Sequence, residues 1–309
     1  MKKKIEDLKI LVIGDLMLDK YIIGKIERIS AEAPVPIVHI TKEYSTLGGC
    51  GNVINNIASL GAKTFCISQH GIDDDGDEID NKLIQLNCRS YCSKRIDIPT
   101  ISKTRVIADG HDVQMLRIDK EIISPSFNEM VNLIHEKVKK ENPDIIIVSD
   151  YAKGMITKDV MSCLSRLDIK VIVDPKPSNI EYYKNVYMLT PNNKEYWEMI
   201  HYLHDANVDK ICEYVLHTKG KDGMVLYDNK VTSPFMNGKE IKSKPVKVFN
   251  VTGAGDTVVS IMAICTALDI DPFTSAKIAN ECAAYVVTQP GTSVISKDLF
   301  DEIYNKYIN

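Results

Sequence analysis

Little in this chain favours an electrostatic or a membrane role. Acidic residues outnumber basic ones, 42 to 38, and the only basic run, Lys2-Lys3-Lys4, stops after three residues. With a formal net charge of -4, neither nucleic acid nor an anionic lipid surface is an expected partner. No apolar run is long enough for a membrane span or a secretory leader: Glu6, Asp7 and Lys9 precede the run that opens at Ile10, and Asp15 ends it. Eight cysteines, at 50, 66, 88, 92, 163, 212, 265 and 282, sit mostly inside apolar segments. Cys88 and Cys92 have no second pair with which to build a zinc site, so reduced, partly buried thiols in a cytoplasmic protein are expected. Low-complexity tracts, disordered linkers and internal repeats are absent. A Gly-x-Gly-x-x-Gly turn is also missing after the first strand, which ends Gly14-Asp15-Leu16, and this excludes a Rossmann-type dehydrogenase.

What is present suits one large core with a small appendage: 309 residues, 44% of them hydrophobic and 26% charged. Short apolar runs end in a polar residue at 9–15, 143–150, 170–174 and 186–190, with helical patterns at 126–140 and 157–167 between them. Alternation of this kind predicts a mostly parallel βαβ sheet whose carboxyl edge carries Asp15, Asp150, Asp174 and Thr190. Asp15 and Asp19 are candidates to hold a polar substrate, and Asp19 reads more readily than Asp15 as a turn cap. Alternating segments at about 20–46 and 98–120 predict short strands outside the main sheet, a small β lid that would keep water from a transfer reaction.

Two glycine-rich turns stand out. Gly48-Gly49-Cys50-Gly51-Asn52 opens a helix with apolar positions at 53, 54, 57, 58 and 60 and a glycine stop at 61, so Gly48 and Gly49 permit close approach to a ligand and Asn52 is placed to bind sugar hydroxyls. Phe249-Asn250-Val251-Thr252-Gly253-Ala254-Gly255-Asp256-Thr257 precedes an apolar helix, with small residues that let backbone N–H groups reach an anion. Asp256 falls in the first helical turn, where a carboxylate suits the general base of a phosphoryl transfer.

These turns, together with Asn192-x-x-Glu195 and Thr218-x-Gly220-x-x-Gly223, occur in the order and spacing of the PfkB family, and the chain resembles ribokinase-like carbohydrate kinases over nearly its whole length. Gly14 to Tyr21, Arg28 to Pro36, Asp150-Tyr151-Ala152-Lys153-Gly154, Val173-Asp174-Pro175-Lys176 and Leu189 to Asn192 look like D-glycero-β-D-manno-heptose 7-phosphate kinases. The resemblance implies a ribokinase-like three-layer α/β/α sandwich with a small β lid, one kinase domain over 1–309, and the kinase half alone of bifunctional relatives that add an adenylyltransferase. It also implies ATP-dependent phosphorylation of the C1 hydroxyl of heptose 7-phosphate, on the path to ADP-heptose.

The site roles follow from the same resemblance. Asp256 would be the base, and the N–H groups of Gly253, Ala254 and Gly255 the anion hole. Asn192 and Glu195 would place Mg²⁺ through waters, Thr218, Gly220 and Gly223 would wrap the ATP phosphates, and Asn280 would lie near the adenine. Asp15, Gly48, Gly49 and Asn52 would bind sugar hydroxyls. Among Arg105, Arg117, Lys153 and Lys176, the first and last are favoured for the distal phosphate. Asn250 stands where the family usually has Asp, so with Thr252 it becomes the candidate ligand for a monovalent cation such as K⁺; Ala152 stands where Gly is usual. A homodimer through the lid is expected. The alternatives are a ribokinase-like kinase for another sugar phosphate or a nucleoside and, in a different class, a non-catalytic nucleotide or sugar-phosphate sensor.

Overall fold

The computed structural model describes residues 3–110, 113–206, 211–229, 238–289, 291 and 293–308, with only the backbone for 203–206. From the N-terminus, β1 (Lys9–Gly14) leads into two long strands, β2 (Leu16–Ile29) and β3 (Pro36–Gly49), then α1 (Cys50–Ser59), β4 (Lys63–Ile67), β5 (Gln69–Gly71) and α2 (Asp74–Gln85). Next come β6 (Arg89–Ser90), β7 (Ser93–Arg95), β8 (Ser102–Ala108), β9 (Val113–Lys120), α3 (Glu129–Glu141), β10 (Ile145–Ser149), α4 (Lys158–Leu164), β11 (Val171–Asp174) and β12 (Val186–Leu189). The last third holds α5 (Asn193–Ala206), β13 (Cys212–Thr218), β14 (Met224–Asp228), β15 (Lys239–Ile241), α6 (Ala254–Ala267), α7 (Pro272–Val286) and α8 (Lys297–Ile308).

Nine of these strands form one sheet in the order β15-β14-β13-β12-β11-β10-β1-β4-β6. Neighbours from β6 to β13 run parallel, because helices or long crossovers return the chain between them. The connection from β13 to β14 is only a short turn, so this pair is antiparallel, as is β14 with β15. Side-chain alternation divides the core between the two faces. Ile10, Val12, Ile145 and Ile147 point to the layer of α1, α6, α7 and α8, while Leu11, Ile13, Ile146 and Val148 face α3, α4 and α5. The result is a three-layer α/β/α sandwich.

A second sheet, in the order β3-β2-β8-β9, stands beyond the carboxyl edge of β1. β2 is buried from Leu16 to Asp19 and exposed by its last three residues, so one strand begins in the core and ends in solvent. β9 is exposed at every position. The sequence reading of 20–46 understates these strands: β2 begins at Leu16, and β3 runs to Gly49 and passes directly into α1.

Candidate active site

The first turn of α6 lies at the meeting point of the two sheets. Gly253, with φ of 86°, caps the helix in the left-handed region, and the first intrahelical bond runs from the Thr257 N–H to Gly253 O at 2.9 Å. The amides of Gly255 and Asp256 precede that bond and have no intrahelical acceptor. A Cβ added at Gly255 would meet nothing within 4 Å, so the turn is open on that side. Residues 256 to 267 are buried without interruption, which fixes the helix behind the turn.

Asp256 is 7% exposed, and both of its carboxylate oxygens are held. Asn52 Nδ2, from α1, donates to Oδ2 at 2.7 Å, and the Tyr151 hydroxyl donates to Oδ1 at 3.0 Å. Burial pushes the Asp256 pKa above the ordinary carboxylate range, a shift the two donors and the Lys176 ammonium oppose and the Asp19 carboxylate reinforces.

Tyr151 is delivered by the turn that follows β10, and Asp15 organises that turn. Asp15 Oδ2 accepts from the backbone amides of Tyr151 at 2.9 Å and Lys153 at 3.1 Å, and Oδ1 accepts from Met155 at 2.9 Å. The Asp15 carboxyl is pushed up to about 6 by burial and the neighbouring charge of Asp150, against the pull of the three amides. Asp150 braces the turn from the other side, accepting from the Ala152 amide at 2.6 Å, Asn179 Nδ2 at 2.7 Å and the Tyr183 hydroxyl at 2.6 Å.

Asp19 lies inside β2 rather than in a turn, buried, with its carboxylate against Gly48: a Cβ at Gly48 would run into Asp19 Oδ2. Gly49, with φ of 58°, approaches the Asp15 carbonyl just as closely. Arg105, from β8, pairs with Asp19 through Nη1 to Oδ1 at 2.5 Å, and its guanidinium lies 5.4 Å from the Tyr21 ring centroid. Lys153 reaches Glu121 at 2.8 Å, and the exposed Arg117 pairs with Asp119 at 2.8 Å.

On the opposite flank, Asn192 and Glu195 close a reciprocal cap on α5. The Asn192 amide donates to Glu195 Oε2 and the Glu195 amide to Asn192 Oδ1, each at 3.0 Å. Glu195 Oε1 pairs with Lys176, whose ammonium also lies 5.4 Å from the Tyr151 ring centroid. Asp174 is beside this pair, its pKa raised well above normal by burial and by the charges of Asp256 and Glu195. The structure therefore separates Arg105 and Lys176, which pair with different carboxylates. Thr218 ends β13, its amide bound to Pro191 O at 2.9 Å, and Gly220 and Gly223 form the turn into β14 with φ of 58° and 89°. Asn280, in α7, donates to Lys242 O at 3.1 Å on the wall of a cavity of about 540 Å³ that Ile241, Val246, Lys277 and Tyr285 also line.

Asn250 braces its own segment: Oδ1 accepts from the Thr252 amide at 2.9 Å and Nδ2 donates to Gly291 O at 3.3 Å. An aspartate could not make the second bond. The amide thus joins two segments directly, where an ionised carboxylate would need a bridging water or cation.

The model for the pfkB family of carbohydrate kinases matches residues 7–298. The chain belongs to that family. It is a phosphotransferase that acts on a sugar hydroxyl. Among its relatives, the bifunctional protein HldE of Desulfatibacillum aliphaticivorans is 36% identical over 308 residues, covering 94% of this chain and 61% of that protein. HldE of Campylobacter jejuni serotype O:2 is 37% identical over 312 residues, covering 96% and 64%. This carbohydrate kinase thus spans less than two thirds of the length of these curated relatives. Phosphofructokinase-2 from Escherichia coli, in complex with potassium, superposes with a TM-score of 0.76 at 18% identity, covering 98% of this chain and 99% of that one. Ribokinase from Thermotoga maritima gives 0.71 at 18% identity, covering 96% and 99%. At such identities the likeness concerns the fold, which is ribokinase-like.

Within this kinase, the structure gathers Asp256, Asn52, Gly253 and Gly255 around one point, with Lys176 and Glu195 on one flank and Asp19, Gly48 and Arg105 on the other. Tyr151 escaped the sequence reading. It lies within the Asp150 to Gly154 segment that carried part of the resemblance, but nothing in the local pattern says that a tyrosine there reaches a carboxylate 105 residues away.

Proposed function

We propose that the chain is an ATP-dependent kinase for the anomeric hydroxyl of D-glycero-D-manno-heptose 7-phosphate, giving heptose 1,7-bisphosphate and ADP. The observation that carries the reading is the pinned Asp256 carboxylate beside the unbonded first-turn amides of α6. In this reading the sugar C1 hydroxyl approaches Asp256, which takes its proton as the hydroxyl oxygen attacks the γ-phosphorus and the bond to the β-phosphate oxygen breaks. The amides of Gly255 and Asp256 stabilise the charge on the phosphoryl oxygens in flight. Gly48, Asp19 and Arg105 flank the sugar, and Arg105 is the cation best placed for its distal phosphate, being half-buried on the smaller sheet. Lys176 instead serves the phosphoryl groups, since it lies beside Glu195 and within the field of Asp256.

The ATP phosphates follow the turn from Thr218 to Gly223, with the base towards Asn280. Glu195 and Asn192 would hold Mg²⁺ through water, and the ion would supply charge neutralisation on the phosphates; among the described residues no group of three or more His, Cys, Asp or Glu side chains is arranged to cage a metal directly. The smaller sheet would act as a lid over the sugar. Exposed Val113, Met115, Leu116 and Ile118 on β9 support a homodimer through this sheet. Among the described residues no helix is long and apolar enough to cross a membrane, and the free, mostly buried cysteines suit the cytoplasm.

The test is ADP release from ATP and Mg²⁺ with a panel of heptose 7-phosphate, fructose 6-phosphate, ribose and a nucleoside. Highest kcat/KM with heptose 7-phosphate is expected. Preference for another acceptor would overturn the choice of sugar, and no ADP above background with any acceptor would overturn this kinase chemistry.

A further inference from the structure

Asp256 is held by two donors that arrive from different parts of the chain, and only one of them, Asn52, belongs to a glycine-rich turn. Resting on the reading of Asp256 as the base, we infer that Tyr151 is a positioning residue: its hydroxyl fixes Oδ1 of Asp256 while Asn52 fixes Oδ2, so the carboxylate meets the acceptor hydroxyl in one orientation. Each carboxylate oxygen has about two lone pairs, so these bonds leave room for the acceptor.

The placement of the phenol is itself tightly determined. Asp15 binds the Tyr151 amide at 2.9 Å, Asp150 binds the next amide at 2.6 Å, and the ring faces the Lys176 ammonium at 5.4 Å. Burial and the nearby charges of Asp256 and Asp174 keep the phenol protonated well above the usual tyrosine range, so it is a donor and not a second base. The groups facing Asp256 are Asn52 from α1, Asp19 from β2, Tyr151 after β10, Asp174 at the end of β11 and Lys176 just beyond it. A hydroxyl bonded to the ionised carboxylate favours that form, so removing it makes Asp256 harder to deprotonate. Loss of one donor should also loosen the carboxylate and slow transfer, because proton abstraction depends on alignment.

Tyr151→Phe keeps the ring beside Lys176 and removes only the donor. The Asp256 carboxyl carbon, assigned in ¹³C spectra by its absence from Asp256→Asn, should titrate about one pH unit higher in Tyr151→Phe than in the wild type. The acid limb of kcat should move the same way, and kcat at its plateau should fall about tenfold or more with KM for ATP within about twofold. An unshifted titration overturns the proposal, and so does a shifted one with wild-type turnover. The Asp256→Asn protein separates the two layers: near-normal turnover there removes Asp256 as the base, whereas an inactive Asp256→Asn with a wild-type-like Tyr151→Phe removes Tyr151 alone. Tyr151→Leu, lacking the ring as well, should show the same titration shift together with a lower melting temperature; a ring that matters only for packing would lower the melting temperature and leave the titration unmoved.

Discussion

The carboxylate of Asp15 and the backbone amide of Met155 are joined by a 2.9 Å hydrogen bond, and the same carboxylate takes the amides of Tyr151 and Lys153. One side chain at the end of β1 thereby shapes the turn after β10. Asp15→Asn offers a single oxygen to three donors and turns an NH₂ group towards one of them, at a cost of about 2–4 kcal/mol. The deficit should depend on pH. The folded-state pKa of Asp15 is raised to about 6, so its contribution to stability is full below the unfolded value and is lost as pH rises through 6. Asparagine does not titrate. The drop in melting temperature of Asp15→Asn relative to wild type should therefore be larger near pH 4 than near pH 7.5, and a deficit that fails to shrink with rising pH would refute the assignment.

Asp256→Asn should lower kcat by several orders of magnitude, roughly 10³-fold or more, while ATP binding measured by calorimetry stays near wild type. For the wild type, burial lifts the Asp256 pKa above the ordinary carboxylate range, and a base works only when ionised. Turnover should thus fall on the acid side at a pH above that of an exposed aspartate. An acid limb that persists in Asp256→Asn would assign it to another group.

Which of these features the sequence reveals depends on the range of the interaction. The unbroken apolar runs in Lys9–Gly14 and Ile145–Ser149 are local and sufficient to announce two-sided burial, so the parallel sheet and its rim of carboxylates are readable from the chain. Gly253 and Asp256 are readable for the same reason, since a turn and the first residues of a helix lie within a few positions. Asp19 is not: Lys20 beside it breaks the apolar run, and only the pairing of β2 with β3 and β8 shows that the strand continues through it. Asp15 is visible as a rim carboxylate, yet its partners are 136 to 140 residues away, and no local pattern separates a ligand from a clamp.

Arg105 and Lys176 should separate kinetically. Arg105→Ala removes the half-buried guanidinium beside Asp19 and should raise KM for the sugar phosphate roughly 10- to 100-fold with little change in KM for ATP. Lys176→Ala removes the ammonium beside Glu195 and should act chiefly on kcat, by about tenfold or more. Initial rates with each substrate varied in turn decide the matter. If Lys176→Ala changes only KM for the sugar, the distal phosphate belongs to Lys176 instead.

Ala152 and Gly154 occupy the same turn with opposite tolerance for a side chain. Ala152 has φ of 54°, a left-handed conformation that costs an alanine about 1 kcal/mol relative to glycine, while glycine loses about 0.4–1 kcal/mol through the greater freedom of the unfolded chain. Ala152→Gly should therefore leave stability unchanged or slightly higher. Gly154 has φ of 106°, and a Cβ there would run into the Ser124 carbonyl. Gly154→Ala has no equivalent relief and should cost about 2 kcal/mol or more. Thermal melting of the two variants tests the contrast. Because this turn carries Tyr151, Gly154→Ala should also lower kcat, whereas Ala152→Gly should not, and equal effects of the two on turnover would mean that the geometry of the turn does not reach Asp256.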